Sequence, residues 1–176
     1  LKPERAESVD FDGTENLFIE GDNLEVLKTL QRAYYGKVKM IYIDPPYNTG
    51  NDFVYHDKFS QSRREYDLAS GWRDSEGNIK QVSGLQKNTK DSGHFHSNWL
   101  NMMYPRMKIA HGLMHDSGVV FVSIDDREFS NLCHLMWEIW GRENHIATLK
   151  WKKKRKPSFL DKHIGSTIEY ILVFAK

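Results

Sequence analysis

The stretch "VKMIYIDPPYNTG", residues 38–50, runs from apolar sequence into two adjacent prolines fenced between an aspartate and a tyrosine. The apolar part predicts a strand over 38–43 that is buried on both faces, as in a parallel sheet covered by helices. Each proline fixes its own φ and lacks an N–H, so the pair predicts a stiff extended bend with no backbone donor of its own. In open α/β sheets ligands bind beyond the carboxyl ends of the strands. Asp44, Pro45, Pro46 and Tyr47 are therefore expected at such an end, as a cluster of acceptors beside an aromatic face. A planar base with an exocyclic amino group suits that cluster. Asp44 and the Pro45 carbonyl can take its two N–H bonds while the ring lies on Tyr47. Accepting both hydrogens localises a lone pair otherwise delocalised into the ring and aims it at an electrophile, and Asp44 can take the surplus proton.

The flanking sequence alternates in the same way. "NLFIE" (16–20) predicts a short strand, and "NLEVLKTLQRAYY" (23–35) a helix with Leu24, Leu27, Leu30 or Gln31, and Tyr34 along one face, closed by Gly36 as a C-cap glycine. Downstream, residues 98–118 carry helical spacing, which Pro105 is expected to kink or divide, with Gly118 as the stop. "VVFVSI" (119–124) repeats the buried-strand pattern. "REFSNLCHLMWEIWG" (127–141) predicts a second amphipathic helix with Phe129, Leu132, Cys133, Met136, Ile139 and Trp140 inward. Residues 146–152 and 166–175 predict an antiparallel pair at one sheet edge. Residues 53–97 have no sustained period and are expected to be a functional loop, a lid or a disordered insert.

The chain has 176 residues, 39% hydrophobic and 12% aromatic, enough for one domain with a core. It contains no apolar segment of spanning length and no apolar signal-peptide core, so a cytoplasmic location is expected. A single cysteine, Cys133, excludes an internal disulfide and a multi-cysteine zinc site. Formal net charge is +1, yet six of the seven residues of "KWKKKRK" (150–156) are cationic. That run is either a DNA phosphate contact, with Trp151 at hand for stacking, or a solvated loop at a strand end.

"DPPYNTG" closely resembles the catalytic motif of amino-group DNA methyltransferases that use S-adenosylmethionine. With "FIEGDNLEVLKTL" and "WLNMMYPRMKIAHGLM…GVVFVSIDD", the chain resembles the modification (Mod) subunits of Type III restriction-modification systems, a permuted β-class arrangement. The resemblance implies a Rossmann-like methyltransferase fold, an α/β sheet that is mostly parallel with an antiparallel edge pair and only partial in this chain. It also implies methylation of adenine N6 on a flipped base in double-stranded DNA, because the cytosine-N4 enzymes more often begin the motif with serine. Asp44, Pro45, Pro46 and Tyr47 take the catalytic roles by that resemblance. Asp22 and Asn23 of "GDN", together with Asp44, take cofactor roles, Asp22 accepting from the cofactor's adenine amine. On its residues alone Asp22 or Asn23 is equally a helix N-cap. Lys152, Lys153, Lys154 and Arg155 are the DNA-contact candidates. A restriction subunit and a second methyltransferase copy are the implied partners.

The family's Phe-x-Gly-x-Gly cofactor loop and target-recognition region do not occur in this sequence. Residues 1–176 are therefore expected to form a single partial catalytic domain, the amino-terminal part of such an enzyme, inactive alone. The rival readings are a DNA-holding or dimerisation module without catalysis, and a methyltransferase acting on RNA or a protein amide. "HFH" (94–96) is a weak metal pair for want of a third ligand. Asp125 and Asp126 are expected to cap the following helix, Trp137, Trp140 and the methionines to be core, and Phe53 and Tyr55 to line the pocket entrance.

Overall fold

The computed structural model describes residues 2–50, 53–55, 85–88, 93–153 and 166–176. Helix α1 (Asn23–Tyr34) leads into strand β1 (Val38–Ile43), and Gly36 takes the left-handed φ of 65° that follows the helix end. A two-stranded antiparallel ribbon, β2 (Phe53–Tyr55) with β3 (Leu85–Lys87), stands apart from the main sheet. Helix α2 (Phe95–Leu113) runs directly into β4 (Met114–Ile124), helix α3 (Phe129–Trp140) follows, and β5 (His145–Lys152) and β6 (Ile168–Ala175) complete the order. The sheet order is β1-β4-β6-β5. The β1–β4 pair is parallel and β6 is antiparallel to both its neighbours, so the β5–β6 antiparallel pair lies at one edge as expected, but the sheet among the described residues is mixed rather than mostly parallel.

One face of this sheet carries the core. Val120, Val122 and Ile124 of β4 and Leu172 and Phe174 of β6 are fully buried against Trp99, Met102, Met103 and Met107 of α2 and Leu132, Met136 and Trp140 of α3. Each such side chain contributes about 1.5–3 kcal/mol by leaving water. The expected inward residues of α3 are all in this cluster or packed on it, and burial pushes the Cys133 thiol pKa up, as for an inert core thiol. Helix α1 packs on α2, with Leu24 its one buried residue.

Four further expectations are corrected. Strand β1 is not buried on both faces: Met40 is 61% and Tyr42 57% exposed, because no helix among the described residues covers the sheet's second face. Residues 16–20 form no strand, and Phe18 is 94% exposed. An apolar run becomes a strand only where a ladder partner exists, and none lies beside it among the described residues. Pro105 does not divide the helix: α2 is continuous through it. The proline leaves the Asn101 carbonyl without its helical donor, and in the adjoining turn the Arg106 guanidinium donates to the Met102 carbonyl at 2.6 Å. Gly118 is not the helix stop, since α2 ends at Leu113 and β4 begins at once. Gly118 instead lies at the irregularity where β4 slips register against β1, between the Val38–Met114 and Met40–Val119 pairs. Of the 53–97 insert, 56–84 and 89–92 lie outside the described residues.

A Cβ built on Gly118 would lie 2.7 Å from the His115 carbonyl oxygen and 3.0 Å from that of Val38, both backbone atoms that cannot swing away. Gly118→Ala should therefore lower unfolding free energy by about 1–3 kcal/mol in a denaturant titration. An unchanged midpoint would contradict this close approach.

Candidate active site

Strand β1 ends at Ile43, and the next five residues run from an exposed Asp44 through a buried Pro45 and half-buried Pro46 and Tyr47 to a fully buried Asn48. Beside them, on the uncovered face of the sheet, a cavity of about 240 Å³ is lined by Tyr42, Asp44, Tyr47, Ser123, Trp151, Glu169, Tyr170 and Ile171. The strand register explains this gathering. Ser123 pairs with Ile171 across β4 and β6, and Trp151 pairs with Glu169 across β5 and β6, so these side chains share one face near the carboxyl ends of β1 and β4. The volume lies below the roughly 300–1,000 Å³ of drug-sized ligand sites and suits a single planar ring system.

Hydroxyls and carboxylates dominate the polar lining. The Tyr42 hydroxyl and Ser123 Oγ lie 2.5 Å apart. The Tyr47 phenol bonds to Asp44 and Ser123; burial first, then the negative charges of Asp44 and Glu169, hold its pKa above the usual phenol range. Tyr47 is thus protonated and donates to Asp44. A carboxylate offers about four lone-pair sites, so Asp44 retains capacity for an amine. Glu169 is paired with Lys153. The site as a whole can accept hydrogen bonds from a planar donor and flank it with the rings of Tyr47 and Trp151.

The loop is anchored from behind. Trp99 Nε1 donates to the Pro46 carbonyl at 2.7 Å, which leaves the Pro45 carbonyl out of that bond. Asn48, in the left-handed region at φ 57°, donates through Nδ2 to Glu128 Oε1 at 2.5 Å and to the Phe95 carbonyl at 3.3 Å. Asn88 Nδ2 donates to Asn48 Oδ1 at 2.8 Å. Glu128, fully buried, also bonds His96 Nδ1 at 2.6 Å and accepts from Asn131 Nδ2 at 2.7 Å.

Of the residues singled out in the sequence, Asp44 and Tyr47 come together in the cavity, Pro45 and Pro46 stiffen the bend, and Trp151 lines its far side. Asp22 is the N-cap of α1, its Oδ1 accepting from the Glu25 amide at 3.0 Å. The Asn23 Oδ1 accepts from Arg106 Nε at 2.7 Å. Lys152 and Lys153 are exposed at the end of β5, whereas Lys154 and Arg155 lie outside the described residues. So do the side chains of Phe53 and Tyr55, on which their entrance role rests. His96 bonds Glu128, and no group of three or more metal-ligand side chains occurs among the described residues.

Asp125 and Asp126 do not cap α3, whose N-cap position is Glu128. Asp125 closes a turn by accepting from the Arg127 amide at 3.0 Å, and burial pushes its carboxyl pKa up against the opposing pull of Arg127. Asp126 bonds the Tyr170 hydroxyl, which raises that phenol's pKa.

Sequence reasoning passed over Tyr42, Ser123, Glu169, Tyr170, Asn48, Asn88 and Glu128. Glu169 alone left a visible signal, as the single acid inside the apolar run "STIEYILVFA".

A family model described as DNA methylase matches residues 38–176. The Type III restriction-modification enzyme StyLTI Mod subunit of Salmonella typhimurium is 45% identical over 163 residues, covering 92% of this chain. The EcoP15I Mod subunit of Escherichia coli is 46% identical over 168 residues, covering 93%. The chain spans 24% of the length of each of these two relatives. Among solved structures, that of an M1.HpyAVI–SAM complex aligns with 90% of this chain and 53% of its own at 15% identity and a TM-score of 0.46.

A purine nucleoside that enters the cavity should shield Trp151, 62% exposed, from acrylamide quenching of its fluorescence. Trp151→Phe should abolish that protection. Protection that survives the substitution would place the ligand elsewhere.

Proposed function

The chain belongs to the DNA methylase family, and from that premise we propose that it holds the amine-binding half of a methyltransferase acting on adenine N6 in double-stranded DNA. The observation that carries this is the cavity at the end of β1, where the Asp44 carboxylate and the Tyr47 ring stand together on a proline-stiffened loop. The target base leaves the duplex, because its reacting nitrogen is inaccessible inside the stack. Its ring lies between Tyr47 and Trp151, and Asp44 and the Pro45 carbonyl accept its two N–H bonds. This draws the nitrogen toward the pyramidal form and exposes its lone pair. Methylation leaves an extra proton on that nitrogen, which Asp44 accepts. The hydroxyls of Tyr47, Ser123 and Tyr42 then offer a hydrogen-bonded route toward solvent at the exposed Tyr42.

S-adenosylmethionine, when bound, supplies the electrophilic methyl group. Asp22 fits the adenosine end of such a cofactor: it is a half-buried carboxylate at the amino end of α1, and the cap uses one of its oxygens. Asn23, tied to Arg106, steadies that helix end. We assign the cationic run Lys152, Lys153, Lys154 and Arg155 to DNA phosphates on its charge, with the exposure of Lys152 and Lys153 beside Trp151 in support. Residues 1–176 are read as a single partial catalytic domain with the insert at 53–97, a reading supported by the family match over 38–176. We read the intact protein as a cytoplasmic restriction-modification methyltransferase with a restriction subunit and a second copy as partners; the relatives' names, each a Mod subunit of a Type III restriction-modification enzyme, support the restriction-modification setting.

In the full-length protein, Asp44→Ala should lower methyl transfer to DNA at least about a hundredfold while thermal unfolding stays near that of the parent. Radiolabelled methyl incorporation into DNA, RNA and protein measures it, with nucleoside mass spectrometry separating N6-methyladenine from N4-methylcytosine. Near-normal activity of the variant would sink the assignment.

A further inference from the structure

We propose that Glu128 is a positioning residue for methyl transfer, acting through Asn48 to hold Tyr47 and Asp44 in register with the target amine. It rests on the methyltransferase function proposed above.

A carboxylate at a helix N-cap ordinarily faces water or the helix amides. Glu128 occupies the N-cap of α3 yet makes no capping bond; its side chain turns inward and is fully buried. Burying a carboxylate is costly unless every oxygen is well partnered. Here Oε1 bonds Asn48 Nδ2 and His96 Nδ1, and Oε2 accepts from Asn131 Nδ2. The two sets of partners differ in what they hold. Asn131 belongs to α3 itself and His96 to the first turn of α2, whereas Asn48 adjoins Tyr47. Asn48 needs help: its φ of 57° lies in the left-handed region, sparsely populated by residues other than glycine. The bond to Glu128, with the one from Asn88 to Asn48 Oδ1, fixes that conformation. Trp99 on the Pro46 carbonyl fixes the other side of the same loop. With both flanks held, the peptide between them, which carries Tyr47, has one arrangement. Glu128 is not among the residues that line the cavity, so its effect is on geometry.

The test uses the full-length protein with S-adenosylmethionine and DNA. Glu128→Gln keeps size but exchanges one acceptor for a donor. Asn48→Gly keeps the left-handed backbone and removes the amide. Each should lower kcat about ten- to a hundredfold with KM for both substrates little changed, and the double variant should be no worse than the poorer single one. Asn131→Ala, which takes a partner from Glu128 without touching the loop, should lower Tm but leave kcat near that of the parent. Hydrogen exchange at the amides of residues 47–49 should quicken in Asn48→Gly and in Glu128→Gln. Should Glu128→Gln fail to fold, Asn48→Gly carries the kinetic test. Parental kcat in Asn48→Gly, alongside an inactive Asp44→Ala, would overturn the positioning role and leave the proposed function standing. Should Asp44→Ala remain active, that function fails, and unchanged exchange at 47–49 would then overturn the anchoring as well.

Discussion

A single buried carboxylate organises this molecule. Glu128 sits at zero exposure where β4 gives way to α3, and its bonds reach the loop after β1 through Asn48, the start of α2 through His96, and α3 through Asn131. Asn88, beyond the small ribbon, joins by way of Asn48. Three stretches of the chain, at residue 48, at 88–96 and at 128–131, are thus joined in one network around this carboxylate. Such a network is stable only when complete, since removing any donor leaves a desolvated acceptor costing about 1–3 kcal/mol or more. That cost ties the shape of the Asp44–Asn48 loop to the fold itself.

The two sides of the loop perform different work. Its buried side is a lattice of amides, an imidazole and an indole, all fixing position. Its open side is a shallow cavity of hydroxyls, carboxylates and two aromatic rings, where a ligand can be held. The division follows from the half-covered sheet: helices α2 and α3 fill one face with methionine, leucine and tryptophan, while Met40, Tyr42, Leu149 and Trp151 remain exposed on the other. The cavity opens on that second face, so a flat ligand reaches Asp44 without displacing core. Tyr47 links both sides, its ring packed on the core and its phenol, kept protonated by burial and by Asp44, facing the cavity.

Much of this was legible in the sequence. The β1 boundaries, the α3 face, the β5–β6 edge pair and the place of "DPPY" at a strand end all follow from local periodicity and proline chemistry. What local pattern could not supply was partnership. "NLFIE" has strand composition but no ladder beside it, and "VKMIYI" is apolar on both sides yet covered on one. Pro105 reads as a break, but packing on both sides of it keeps α2 whole. Glu128 in "DDREF" and His96 in "HFH" look like surface charge and a weak metal pair, because nothing nearby in sequence announces the 80-residue separation between Glu128 and Asn48. Glu169, an acid in an apolar strand, carried the one local signal, and it too was passed over.

We propose that the loop from Asp44 to Asn48 is built, before any ligand binds, to receive an exocyclic amine. A crystal structure of the full-length protein with a cofactor analogue and DNA containing its target site tests this most directly. The account predicts an extruded adenine in the cavity between Tyr47 and Trp151, its N6 within hydrogen-bonding distance of the Asp44 carboxylate and the Pro45 carbonyl, and the Asn48–Glu128 bond intact. A base bound away from Asp44, or a loop that refolds and abandons Glu128 on binding, would contradict it.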